Sequence, residues 1–118
     1  MRFLPTRVHG IIDYVVGVFL IFVPYLFGFA DGTAAQWIPM LLGASAILYS
    51  LLTRYELGLF RLIPMPAHLG LDALSGLFFI ISPWLFGFAD RVFWPHVILG
   101  LFEVVASLVT RTAPERTR

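Results

Sequence analysis

Two pairs of residues in this chain have the types and spacing to do chemistry: His9 with Asp13, and His68 with Asp72. In an α-helix a spacing of four puts both members of each pair on one face, within reach of each other. An imidazole beside a carboxylate can relay a proton, form an ion pair or supply two ligands to a metal. Because His-x3-Asp offers only two ligands per repeat and structural zinc takes four, no metal site is expected. Thr53-Arg54 and Thr110-Arg111 recur at matching depth, and the arginines are the expected counterions of Asp13 and Asp72. The first reading is therefore a His–Asp–Arg polar clamp that fixes helix pairing, and the second is a proton-handling or ligand site.

A further acidic group stands apart. His96, Gly100, Glu103, Ser107 and Arg111 follow three/four spacing and form one stripe, with Pro39, Gly43, Ala46, Ser50 and Arg54 as the counterpart. Their small residues suit close helix approach. Glu103, where the first half has Ala46, is the acidic residue nearest mid-bilayer depth and is expected to be buried. It would either hydrogen-bond to another helix or subunit or lie on a proton or ion path.

Composition sets the surroundings of these groups. The 118 residues are 59% hydrophobic and 13% charged, with twelve Phe, no Cys and all eight basic residues Arg. A chain this small cannot hide so much apolar surface in a water-soluble core, so the excess must face lipid. Without Cys there are no disulfides and no thiolate ligands. No phosphate loop, dinucleotide fingerprint, nucleophile–base–orienter set or basic nucleic-acid patch is present. No cofactor is expected. The N-terminal apolar run contains Asp13 and has no small-residue cleavage site, so it reads as a retained span.

The chain also repeats itself. At an offset of 59, His9, Asp13, Gly17, Pro24 and Leu26 to Asp31 meet His68, Asp72, Gly76, Pro83 and Leu85 to Asp90; at 57, Trp37, Gly43 and Thr53-Arg54 meet Trp94, Gly100 and Thr110-Arg111. Polar positions match as well as apolar ones, which marks an internal duplication. Each copy holds two apolar stretches, about Val8–Phe29 and Gln36–Leu52, then about Ala67–Phe88 and Phe93–Val109. Each is long enough for a bilayer of ~17–25 helical residues. The expected fold is an all-α membrane protein with four transmembrane helices, built as two tandem two-helix repeats with parallel pseudo-twofold symmetry. Repeat 1 covers about 8–54, an amphipathic interfacial loop about 55–66, repeat 2 about 67–111, and a polar tail 112–118. Arg2, Arg7, Arg54, Arg61, Arg111, Arg116 and Arg118 share one side, against Arg91 on the other. The positive-inside rule therefore puts both termini in the cytoplasm. Trp37 and Trp94 fall at the opposite interface.

Within each first helix, Pro24 and Pro83 should kink or break the span, freeing the carbonyls of Leu20 and Phe79. Ser82 can answer locally with its hydroxyl, and Val23 cannot. Tyr25 and Trp84 act as aromatic anchors, and Gly28 and Gly87 suit a helix end or a close approach. Broken helices at matching positions would also suit a transport site.

Two tandem two-helix units, each with Pro-aromatic followed by Leu-Phe-Gly-Phe, resemble the SPW-repeat family of prokaryotic integral membrane proteins. The second copy carries the signature in full as Ser82-Pro83-Trp84; the first departs from it as Val23-Pro24-Tyr25. The resemblance spans about residues 8–111. It implies a multi-pass protein of the cell (inner) membrane and transfers no catalytic residues. The expected function is a non-enzymatic structural or partner-organising bundle, in contact with the lipid bilayer and able to self-associate or bind another membrane protein. The alternatives are a small transporter or proton/ion-conducting unit using Asp13, Asp72 and Glu103, and a membrane enzyme acting on a lipid or quinone. The enzyme reading needs His9 or His68 open to a cleft. The transporter reading needs a wet cavity at Glu103, whereas the structural reading needs a dry bundle with every carboxylate paired.

Overall fold

The computed structural model describes residues 2–113, so Arg116, Arg118 and most of the polar tail lie outside the described residues. Four helices follow in order: α1 (Thr6–Leu26), α2 (Ala34–Leu51), α3 (Met65–Leu85) and α4 (Trp94–Val109). Among the described residues the remaining regular pairing is two isolated backbone bridges, Leu4 with Thr110 and Thr53 with Ile63. Three helices are long and apolar enough to cross a bilayer; α4, at 16 residues, is shorter. Large apolar side chains point outward along the helices, including Val15, Phe22, Leu41, Leu74 and Ile98. A water-soluble bundle would place a polar face there. The protein is an all-α, four-helix membrane bundle.

The helices pack as two hairpins, α1 on α2 and α3 on α4. Small residues allow the close approach. A Cβ on Gly43 would lie 2.5 Å from the Gly17 carbonyl oxygen, and one on Gly100 would lie 2.7 Å from that of Gly76. The small stripes foreseen in the sequence are thus used inside each hairpin.

Both prolines lie in the last turn of their helices and do not break them. The helix runs on past Pro24 to Leu26 and past Pro83 to Leu85. Gly28 and Gly87 then turn left-handed, with φ of 75° and 74°, and Phe29 and Phe88 donate back to the carbonyls of Pro24 and Pro83. This is a glycine helix stop, and open space around both glycines rules out close approach as their purpose. The expected spans through Phe29 and Phe88 therefore ran about three residues too far. Ser82 donates its hydroxyl to the Phe79 carbonyl at 2.7 Å, as its position before the proline allows. Tyr25 and Trp84 face outward; the Tyr25 hydroxyl accepts from Gln36, and Trp84 packs against Phe93.

The repeated Leu-Phe-Gly-Phe stretch thus ends a helix and turns a phenylalanine inward. Phe29 and Phe88 join Leu20, Val23, Ala35, Ile38 and Phe79 in the apolar core at the end distant from the termini. There, Asp31 pairs with Arg91 of the other hairpin. The Thr33 hydroxyl, and after it Arg91, hold the Asp31 carboxyl below the usual carboxylate range.

The segment after α2 is an irregular loop. It is stapled to α1 by hydroxyls: Thr6 donates to Glu56 at 2.7 Å, Tyr14 to the Leu57 carbonyl at 2.8 Å, and Tyr55 to Asp13 at 2.6 Å. Leu59, Phe60 and Leu62 are exposed, as an interfacial segment requires, but Tyr55 is buried in a small cluster with Met65 and Leu69.

Candidate functional site: a buried His–Asp square

His9 and Asp13 stand on the first two turns of α1, and His68 and Asp72 on the first two turns of α3. The fold brings both pairs face to face. One ligand-capable atom from each of the four lies within 4.8 Å of the others. His9 Nε2 is 2.7 Å from Asp72 and 3.1 Å from Asp13; His68 Nε2 is 3.0 Å from Asp13 and 3.2 Å from Asp72. The contact from His9 to Asp72 is a well-directed hydrogen bond. Those of His68 have ion-pair distances, its Nε2 being poorly aligned with either carboxylate. His9 and His68 are 2% and 0% exposed, so neither opens to a surface cleft.

The outer nitrogens are fixed by threonines. Thr110 donates its hydroxyl hydrogen to the Ala106 carbonyl at 2.6 Å, so toward His9 Nδ1, 2.7 Å away, it acts as acceptor. Thr53 likewise donates to the Tyr49 carbonyl and faces His68 Nδ1, each at 2.6 Å. Both Nδ1 atoms therefore carry hydrogen, and both Nε2 atoms turn to the carboxylates. The carboxylates take further support from tyrosines: Tyr55 donates to Asp13, and Tyr49 donates to Asp72. Burial, and after it the Asp13 charge, push the Tyr55 hydroxyl well above the ordinary tyrosine value.

The arginines expected in this cluster are elsewhere. Arg54 is exposed and donates to the Arg61 carbonyl, and Arg111 is exposed too. The reason is local. Beyond the end of α4 the chain is extended at Thr110, and neighbouring residues of extended chain point to opposite sides. Thr110 turns in and Arg111 turns out. Thr53 and Arg54, just past α2, divide in the same way. The repeated Thr-Arg dipeptide carried the signal, but the shorter residue makes the contact. Tyr49 and Tyr55 were not foreseen: their partners in the repeat are Ala106 and Thr112, so no repetition marked them.

Glu103 faces the same region from α4. A cavity of about 20 Å³, bounded by His9, Asp13, Asp72, Ala46, Glu103 and Ala106 among others, runs beside the square. That is room for about one water. Glu103 Oε1 is buried with no protein partner. The space arises where the halves differ, since Ala46 and Ala106 stand where the other half has Glu103 and Tyr49. His96, further along α4, is buried among Phe29, Phe79 and Phe88 and donates Nε2–H to the Ala35 carbonyl at 2.9 Å. It ties α4 to α2.

Comparison with curated proteins and with solved structures gave no match. The SPW repeat domain profile matches residues 7–110, a stretch that holds α2, α3 and α4, all of α1 after its first residue, and every member of the square; the chain belongs to the SPW repeat family.

Proposed function

We propose that the chain is a non-enzymatic structural or partner-organising protein of a prokaryotic cell membrane, with both termini and the central loop cytoplasmic. The concentration of arginines at that end supports the orientation. The observation that carries the structural reading is the square itself: four buried ionisable groups from two hairpins bond to one another and to local hydroxyls. Its members neutralise each other, as groups facing a low-dielectric interior must. Lipid is the partner along the outward faces, and self-association remains open to a bundle of this size.

A second reading, a proton- or cation-conducting unit, draws on one observation. Glu103 has a buried oxygen with no protein partner on a cavity shared with His9, Asp13 and Asp72, so the pairing that the structural reading requires of every carboxylate is met at Asp13 and Asp72 but not at Glu103. Flux measured in liposomes separates the two. The structural reading predicts proton and cation leakage no greater than in empty vesicles. Flux above that level that disappears in Glu103→Gln would replace it with the conducting reading.

A further inference from the structure

We propose that the His–Asp square is a binding site for one divalent first-row transition metal ion of the zinc class, held by Nε2 of His9 and His68 and one carboxylate oxygen each of Asp13 and Asp72. This goes beyond the structural reading and does not depend on it. The ligand count that argued against a metal considered each repeat alone; pooled across the hairpins, the repeats supply four.

Three features of the site support it. The first is spacing. Four ligands at bonds of about 2.0–2.2 Å in a tetrahedron stand roughly 3.3–3.5 Å apart. Through Oδ2 of each carboxylate, His9 stands 2.7 Å from Asp72, and His68 stands 3.0 Å from Asp13 and 3.2 Å from Asp72, with Asp13 Oδ1 turned to His9 at 3.1 Å. All four donor groups lie within 4.8 Å of one another, so entry of an ion opens the short edges by a few tenths of an ångström and draws the longer separations in. The second is the outer support. A metal-bound imidazole normally gives its other N–H to an oxygen acceptor, and a metal-bound carboxylate is itself hydrogen-bonded. Thr110 and Thr53 accept from the two Nδ1–H groups, and Tyr55 and Tyr49 donate to the two carboxylates. Both histidines are thus locked with Nε2 inward. The protonated clamp uses the same orientation, so loss of the two Nε2 protons leaves both nitrogens already aimed at the site. The third is charge. Two carboxylates balance one dication when both Nε2 atoms are free of hydrogen; without the ion, two protons shared across the square do the same. Exchange of two protons for one M²⁺ leaves the buried site neutral in either state. The nitrogen–oxygen donor set fits zinc-like ions better than magnesium or calcium, which take oxygen ligands. The cavity bounded by Glu103 adjoins three of the four ligands.

The test uses the full chain in mild detergent, stripped with a chelator and titrated with Co²⁺ and then Zn²⁺. The expected result is one Co²⁺ per chain with the intense visible bands of a four-coordinate site, displaced by Zn²⁺ in line with their relative affinities. Combined His9→Gln and His68→Gln should abolish it. If that variant fails to fold, Thr110→Val decides, since it keeps all four ligands; loss of the outer support should weaken Co²⁺ affinity about 10–100-fold. Failure of the wild-type chain to take up either ion stoichiometrically would overturn the proposal. So would unchanged binding in a folded double-histidine variant, or unchanged affinity in Thr110→Val. The liposome flux result is independent of all of these.

Discussion

His9 Nε2 lies 2.7 Å from an oxygen of Asp72, across 63 positions of sequence and from one hairpin to the other. Its counterpart, His68 to Asp13 at 3.0 Å, crosses in the opposite sense. Within a helix each histidine also meets its own aspartate, so the square couples local spacing to tertiary assembly. The hairpins are held internally by glycine contacts and to each other by these buried charges together with the shared apolar core, the His96–Ala35 hydrogen bond and the Asp31–Arg91 pair.

The tyrosine supports should be measurable on their own. Tyr55→Phe removes the hydroxyl that Asp13 accepts from, and Tyr49→Phe does so for Asp72. Each leaves a buried carboxylate short of one donor and should cost about 1–3 kcal/mol, read as a lower unfolding midpoint in detergent. Wild-type midpoints in both would show that the carboxylates are satisfied without the tyrosines.

Tyr55 also predicts an alkaline limb. Its hydroxyl value is raised in the folded state by burial and then by Asp13, so folding favours the neutral form. The contribution is complete below the ordinary tyrosine value of about 10 and declines as pH rises above it. In a spectrophotometric titration Tyr55 should ionise only as the bundle opens. Early ionisation at the ordinary value, identified by comparison with Tyr55→Phe, would contradict its burial beside Asp13.

The glycines separate packing from helix propensity. Gly43→Ala would push a Cβ to 2.5 Å from the Gly17 carbonyl oxygen, whereas nothing lies within 4 Å of a Cβ at Gly70. Gly43→Ala should destabilise by about 1–3 kcal/mol through overpacking. Gly70→Ala should be neutral or should stabilise by up to about 1 kcal/mol. Equal effects in thermal unfolding would remove the close approach of α1 and α2 from the account.

At the other end, Asp31 and Arg91 make an exposed ion pair between the hairpins. The Asp31 value is lowered in the folded state, by Thr33 first and Arg91 after it. Its contribution is therefore present above the ordinary carboxylate value and is lost as pH falls through the folded one. Because the pair is exposed, Arg91→Gln should cost no more than about 1 kcal/mol, and less in high salt. A larger or salt-insensitive loss would mean that this pair, rather than the square, joins the hairpins.

Much of this architecture was legible in the residues. Apolar length and the repeat located four helices, and His9, Asp13, His68 and Asp72 stood out because ionisable groups are rare in such segments. Their meeting was less legible, since helix spacing defines a face but not its partner. The helix ends hid the rest. Whether Thr53 or Arg54 enters the site depends on where α2 stops, and Tyr55 reaches Asp13 from a loop with no periodicity to reveal its direction. Pro24 and Pro83 read as kinks or breaks because the Gly28 and Gly87 stops that end each helix just beyond them lie within the same apolar run.

The central claim is that the square ties the two hairpins together. Thermal unfolding in mild detergent of the wild-type chain and of Asp13→Asn combined with Asp72→Asn tests it most directly. With the carboxylates neutralised, His9 and His68 lose their buried counterions, and the account predicts a loss of about 3–5 kcal/mol and a markedly lower midpoint. A midpoint equal to that of the wild type would contradict it.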